Sequence, residues 1–167
     1  MHEGEKVQAT WLYQFLGRPA PLRPWLDVQM PTFGLSIEEA TALTKYFAVM
    51  GKQQVPYEYV SVGEPAPEIM KAGRLLMSKD YFDCFTCHQQ GEKKPEGPPE
   101  GWAPDLSLTK RRLRPIWIGK WMKDPQKIQP GTKMPSYYPD GPDDILGGKE
   151  DRQIQAITEY LMRLGED

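Results

Sequence analysis

Five consecutive residues, Cys84-Phe85-Thr86-Cys87-His88, constrain this chain more than any other feature. Two thiols three positions apart lie on one face of a helical turn, so both can reach the same flat ligand. The His directly after Cys87 then offers a ring nitrogen to whatever the thiols hold. Cys-x-x-Cys-His is the spacing by which haem is attached through two thioethers, with the His as proximal iron ligand. Other readings use the same residues. Structural zinc takes about four N or S ligands, and the chain has two Cys and two His, one of them His2 at the start. A redox dithiol belongs with alternating strands and helices, and no such alternation surrounds Cys84. The plainest alternative is two unmodified buried cysteines that happen to precede a His.

Met134-Pro135 follows downstream of the motif. With these two landmarks, residues 63–167 resemble the c-type cytochromes of class I. The resemblance implies an all-α fold of helices and long loops around one covalent haem c per chain. Cys84 and Cys87 would carry the thioethers, and His88 and Met134 would be the axial iron ligands. It also implies a helix before the motif and a C-terminal helix crossing it, where a small residue lets an aromatic pack closely; Gly73 and Tyr160 occupy those places. The free nitrogen of His88 is expected to donate to a proline carbonyl, with Pro104 the first candidate and Pro98 the second. Trp117 and Trp121 are expected around the haem, and an indole N–H or Arg111, Arg112 or Arg114 at a propionate. Read without the resemblance, Gly73 merely weakens a helix and Met134 is a core methionine.

A length of 167 residues suits one full domain plus a further segment. The apolar fraction is 39%, with 17 Pro and 15 Gly, and a large apolar disc would help such a loop-rich chain build a core. Net charge is −2, yet charge is segregated. Residues 107–134 hold eight bases against one acid, and residues 140–151 five acids against one Lys. The basic stretch reads either as a solvated face or as a surface that steers an acidic redox partner. An acidic overall balance without a recognisable motif speaks against nucleic acid. No run of 18 apolar residues is present, so no transmembrane span is expected, although association with a membrane complex stays open. The first residues do not read as a signal peptide. Covalent haem attachment follows export in bacteria, so a periplasmic or otherwise exported mature piece is expected.

In chain order, residues 3–9 read as loop and residues 11–16 as a short amphipathic helix. A Pro-rich loop follows. Ser36 and Glu39 form a capping box for a helix to about Met50, closed by Gly51. Residues 55–60 read as extended, and Gly63, Pro65 and Pro67 as a linker. A helix from about Glu68 leads into Cys84. Residues 89–104 are loop, residues 116–123 helix ended by Asp124-Pro125, residues 126–135 loop, and residues 151–163 the last helix, ended by Gly165.

The first fifty residues also look like the second half of the haem domain. Residues 11–19 line up with residues 117–125 on Trp and Pro, Met30-Pro31 with Met134-Pro135 two residues out of register, and residues 42–47 with residues 156–161 after one longer insertion in the second copy. The chain therefore divides into residues 1–62, a haem-less partial cytochrome-like segment, and residues 63–167, the haem domain. Three explanations stay open: a piece of a longer multihaem protein, a shell that has lost its haem, or a half-site completed by another chain with Met30 as ligand. A packed core methionine is the default for Met30.

Function follows from the ligand set. His/Met ligation fills both axial positions, so the reading is a one-electron carrier rather than an enzyme, working as a module of a larger respiratory or redox assembly with redox-protein partners. A haem enzyme or gas sensor with a displaceable distal ligand is one alternative, and a structural subunit of a multihaem complex the other.

Overall fold

Pro67 opens the helix that prepares the Cys-containing turn. It stands at the first helical position of α4, where its missing N–H costs nothing. The computed structural model describes residues 3–61 and 63–164. Over these residues it is all-α, with eight α-helices: α1 (Glu3–Lys6), α2 (Ala9–Gly17), α3 (Ile37–Met50), α4 (Pro67–Leu76), α5 (Thr109–Arg112), α6 (Pro115–Lys123), α7 (Pro125–Ile128) and α8 (Glu150–Leu161). Among the described residues there is no strand, only isolated bridges, so the alternation a thioredoxin-like dithiol needs is absent.

The stripe Ile69, Ala72, Gly73 and Leu76 turns α4 onto α8, the most extensive helix–helix contact in the chain. Gly73 makes that contact close. A β-carbon there would fall on the Ala156 carbonyl and 2.8 Å from Tyr160 Cβ. Leu76, Met77, Ile157 and Met162 are almost wholly buried around the crossing, each worth roughly 1.5–3 kcal/mol of transfer free energy. α6 packs on the same α8, and Tyr138, Ile145 and Leu164 complete this core.

A second apolar cluster belongs to the N-terminal segment: Val7, Trp11, Leu12, Leu16 and Ala40, with Phe15, Leu43 and Phe47 against it. Leu113 touches both clusters. The seam beside it is polar and well ordered. Gln8 N–H donates to the Arg112 carbonyl (2.8 Å) and Arg114 N–H to the Lys6 carbonyl (2.9 Å). The Gln8 side chain donates to the carbonyls of Lys110 and Leu113 and accepts from Tyr59 N–H. Arg114, 5% exposed, donates from Nε to the Val7 carbonyl (2.9 Å) and lies 4.0 Å over the Tyr57 ring.

Several expectations are refined. Residues 3–6 are a helical turn rather than loop, because Gly4 lets the chain rest on α3: a β-carbon there would fall on the Phe47 carbonyl. Residues 55–60 join no ladder. Pro125 ends α6 and also starts α7, with the Asp124 carboxylate accepting from Lys127 N–H (3.0 Å). The Ser36–Glu39 capping box forms as expected. Gly165 and His2 lie outside the described residues.

Candidate functional site

The turn bearing the motif starts from Asp83, whose left-handed backbone (φ 45°, ψ 49°) reverses the chain after α4. Asp tolerates this conformation because its short carboxylate bonds locally, here to the Thr86 hydroxyl. Cys84–Thr86 then form a single 3₁₀ turn, and His88 N–H closes it on the Cys84 carbonyl (2.9 Å). Both cysteines are free; Cys84 is half-buried and Cys87 exposed.

His88 is fixed by the returning loop. Ala103 N–H donates to the Cys87 carbonyl (2.7 Å), pairing His88 with Ala103. This sets the Pro104 carbonyl 2.8 Å from His88 Nδ1. With Nδ1 donating, the other nitrogen, Nε2, carries the lone pair. Burial pushes the imidazole below its ordinary value against the opposing pull of the Pro104 carbonyl, and Arg23 acts in the same direction as burial. A neutral imidazole with one oriented lone pair is what a metal ligand requires. Pro104, not Pro98, is therefore the partner of this ring.

Burial drives the Cys84 thiol the opposite way from a redox thiolate, up to about 12. Among the described residues no group of three or more His, Cys, Asp or Glu converges as a metal cluster. A Cys84 thiol raised by burial does not match the low-pKa thiolate of a redox dithiol, and the His88 ring is oriented for ligation.

Met134 lies in the loop after α7. Trp121 Nε1 donates to its sulfur at 2.8 Å, and Gln126 Nε2 donates to its carbonyl (3.1 Å). Trp121 itself stacks on Trp117 at 5.1 Å. Three residues on, Tyr137 stacks on Phe82 at 4.4 Å and donates to its carbonyl (2.9 Å). Phe82 precedes the Cys turn, and Cys84, Phe85, Trp121, Met134 and Tyr137 pack against one core. The fold thus brings the Met134 loop and the Cys turn onto the same apolar cluster.

Two buried nitrogen donors lack an acceptor among the described residues, Trp25 Nε1 and Arg112 Nε, as does the Tyr138 hydroxyl on the α8 side of the core. Trp25 meets Trp102 edge-on at 5.3 Å, in the loop that carries Pro104. Arg23 acts electrostatically on both Arg112 and His88. Buried orphan donors beside a cationic edge call for carboxylates. Arg114, in contrast, is turned inward onto the seam, and Trp121 onto Met134, so neither is free for that task. Trp25 was missed from the sequence, where nothing local links a Pro-rich loop to a motif sixty residues away.

The basic stretch is an open face only in part: Arg111, Lys120, Lys123, Lys127 and Lys133 are exposed, and several of its charges are already engaged. Arg114 is buried and Arg112 lies over the Trp11 ring. Lys120 pairs with Glu5 (2.8 Å) and Lys123 with Glu150 and Asp151 (3.3 and 2.7 Å). Arg111, Lys127 and Lys133 remain exposed. Met30 departs from the expectation of a packed core residue: it is 38% exposed.

The family model for cytochrome c matches residues 70–165. Over 104 residues the chain is 29% identical to the cytochrome c oxidase subunit 2 of Bacillus sp. (strain PS3). That alignment covers 58% of this chain and 26% of the relative, so the chain spans about a quarter of the protein it matches.

Proposed function

The chain belongs to the cytochrome c family, and from that premise we propose that residues 63–167 are a one-electron carrier domain holding one haem c. Haem c, when bound, supplies an iron that changes oxidation state by one electron. In this reading Cys84 and Cys87 form the two thioethers. His88 presents Nε2 as proximal ligand, held by the Pro104 carbonyl at Nδ1. Met134 would offer the iron a neutral, soft sulfur, with Trp121 N–H against it. Two such protein ligands would leave the iron no open site for substrate and little to rearrange when its charge changes. Arg112 and Trp25 are assigned to the propionates, so residues 1–62, though without a haem motif of their own, close one edge of the site.

The observation that carries the reading is the 2.8 Å contact of His88 Nδ1 with the Pro104 carbonyl, which orients a neutral imidazole directly beside a thiol pair. Similarity to a part of an oxidase subunit supports a place in a larger respiratory assembly. Arg111, Lys127 and Lys133 are the basic residues left to meet an acidic redox partner. An exported location accompanies the reading, since thioether attachment of haem follows export.

The test is the optical spectrum of the purified protein, oxidised and reduced, with haem counted per chain. One haem and the weak far-red sulfur-to-iron band are expected. A high-spin spectrum would remove Met134 from the iron and favour a ligand-binding or catalytic haem.

A further inference from the structure

The sequence repeat is also a structural one. α2 and α6 are both nine residues long. Trp11 stacks on Phe15 at 4.7 Å and 17°, as Trp117 stacks on Trp121 at 5.1 Å and 18°. Each helix ends on a residue of the same unusual backbone: Arg18 at φ −144°, ψ 88°, and Asp124 at φ −155°, ψ 84°. In both cases that residue's N–H bonds the carbonyl four positions back, and a proline follows. Met30-Pro31-Thr32-Phe33 then corresponds to Met134-Pro135-Ser136-Tyr137, and α3 to α8.

The two copies differ in what covers them. On α8 and the turn that follows it, Ala156, Tyr160, Arg163 and Leu164 form the side on which α4 and the chain before it lie; Ala156 is wholly buried, Tyr160 receives Gly73, and Arg163 bonds Ser61 and Gly63. Their counterparts on α3 are Ala42, Tyr46, Val49 and Met50. All four are exposed, Tyr46 by 54% and Val49 by 72%. Tyr137 is stacked on Phe82 beside the Cys turn, whereas Phe33 is 63% exposed. Met134 is half-buried against Trp121, whereas Met30 is exposed. Everything missing from the first copy is what residues 67–88 supply to the second: a helix with a small residue at the crossing, an aromatic, and the Cys-x-x-Cys-His turn.

We propose that residues 9–50 are the distal half of a second haem site, completed by a Cys-x-x-Cys-His segment that carries its own covalently attached haem c and its own proximal His. The helix of that segment lies along Ala42, Tyr46, Val49 and Met50, and Met30 supplies the sulfur ligand. An apolar helix face left open would be a liability in a soluble segment; the repeat within this chain shows which chemistry covers it. The site is separate from the one at Cys84, and the inference goes beyond the carrier reading of residues 63–167.

The test uses the full chain with haem attached, in a Met134→Leu background so that its own haem contributes no far-red sulfur-to-iron band. The probe is a haem c peptide with the sequence of residues 64–90 carrying Met70→Leu and Met77→Leu, so that His88 is its single axial ligand. Mixing is expected to produce the far-red band. The band is lost when Met30→Leu is added, and Tyr46→Arg, which places a charge in the covered face, weakens binding on the order of tenfold. No band on mixing, or a band that survives Met30→Leu, overturns the proposal. So does self-association of the chain that Tyr46→Arg reverses, since a second copy would then be the occupant. Removal of the band in the unsubstituted protein by Met134→Leu alone tests the first site, so failure of one reading is visible without the other.

Discussion

Trp121 Nε1 points its hydrogen at the sulfur of Met134 from 2.8 Å. With Met134 as the ligand proposed above, this hydrogen bond would draw density from the sulfur and disfavour the more highly charged oxidised iron. Replacing Trp121→Phe keeps the ring stacked on Trp117 and removes the donor. A net bond of about 1 kcal/mol corresponds to a potential lower by on the order of 40 mV for a one-electron couple. A spectroelectrochemical titration reads it. An unchanged potential with the far-red band intact would show that the indole contributes packing alone.

The contact of Gly73 with α8 gives a paired stability prediction. Gly73→Ala improves helix propensity by about 1 kcal/mol, yet its β-carbon falls on the Ala156 backbone carbonyl, which cannot swing aside. A net loss of about 1–3 kcal/mol is expected. Gly119 in α6 is the control, because a β-carbon there meets only Ile154 Cγ2 at 3.6 Å. Gly119→Ala should gain up to about 1 kcal/mol. Urea unfolding of both variants decides it, and opposite signs are the expected outcome.

The N-terminal segment is held by Arg114, which spans Val7, Gln53, Gln54 and Tyr57. Arg114→Met keeps most of the aliphatic volume and strips the charged donors, leaving the Val7 carbonyl without that bond. A loss of about 1.5–3 kcal/mol is expected for charge-assisted bonds of this kind. It should be local: faster amide exchange is expected in residues 52–60, with α4 and α8 little changed. Uniform loss of protection across the chain would mean that the two clusters unfold as one unit.

What was legible in the sequence is what local chemistry encodes. The Cys turn, the Gly73–Tyr160 crossing, the Ser36 capping box and the Pro104 partner of His88 each rest on residue types at short spacing or on a family plan. The docking of residues 3–8 along residues 110–114 was not legible. It depends on Gln8 bonding two carbonyls more than a hundred positions away, and an isolated glutamine carries no pattern. The same holds for Trp25, whose role rests on a loop brought beside Trp102 by tertiary packing. The basic stretch shows the same limit: counting charges along the chain does not reveal that Arg114 points inward while Arg111, Lys127 and Lys133 stay exposed.

Tyr138 offers a test of burial by pH. It is 7% exposed, stands edge-on to Phe82 at 5.7 Å, and its hydroxyl has no acceptor among the described residues. Burial raises its phenol above the ordinary value of 10.0, and the charge of Glu150 acts in the same direction. In the unfolded chain the phenol ionises near its ordinary value, while in the folded chain it keeps its proton to higher pH. Above about pH 10 the folded state therefore binds more protons, and stability falls as pH rises. Tyr138→Phe removes both the unsatisfied hydroxyl and this loss. At pH 7 the variant should equal the parent or exceed it by about 1 kcal/mol. Its advantage should then grow by up to about 1.4 kcal/mol per pH unit beyond pH 10. Tyr137, also pushed up to about 12 by burial, is present in both proteins, so the difference isolates Tyr138. Urea unfolding at pH 7 and pH 11 checks the sign, and an advantage that does not widen with pH would mean that this phenol ionises as readily in the folded chain as in the unfolded one.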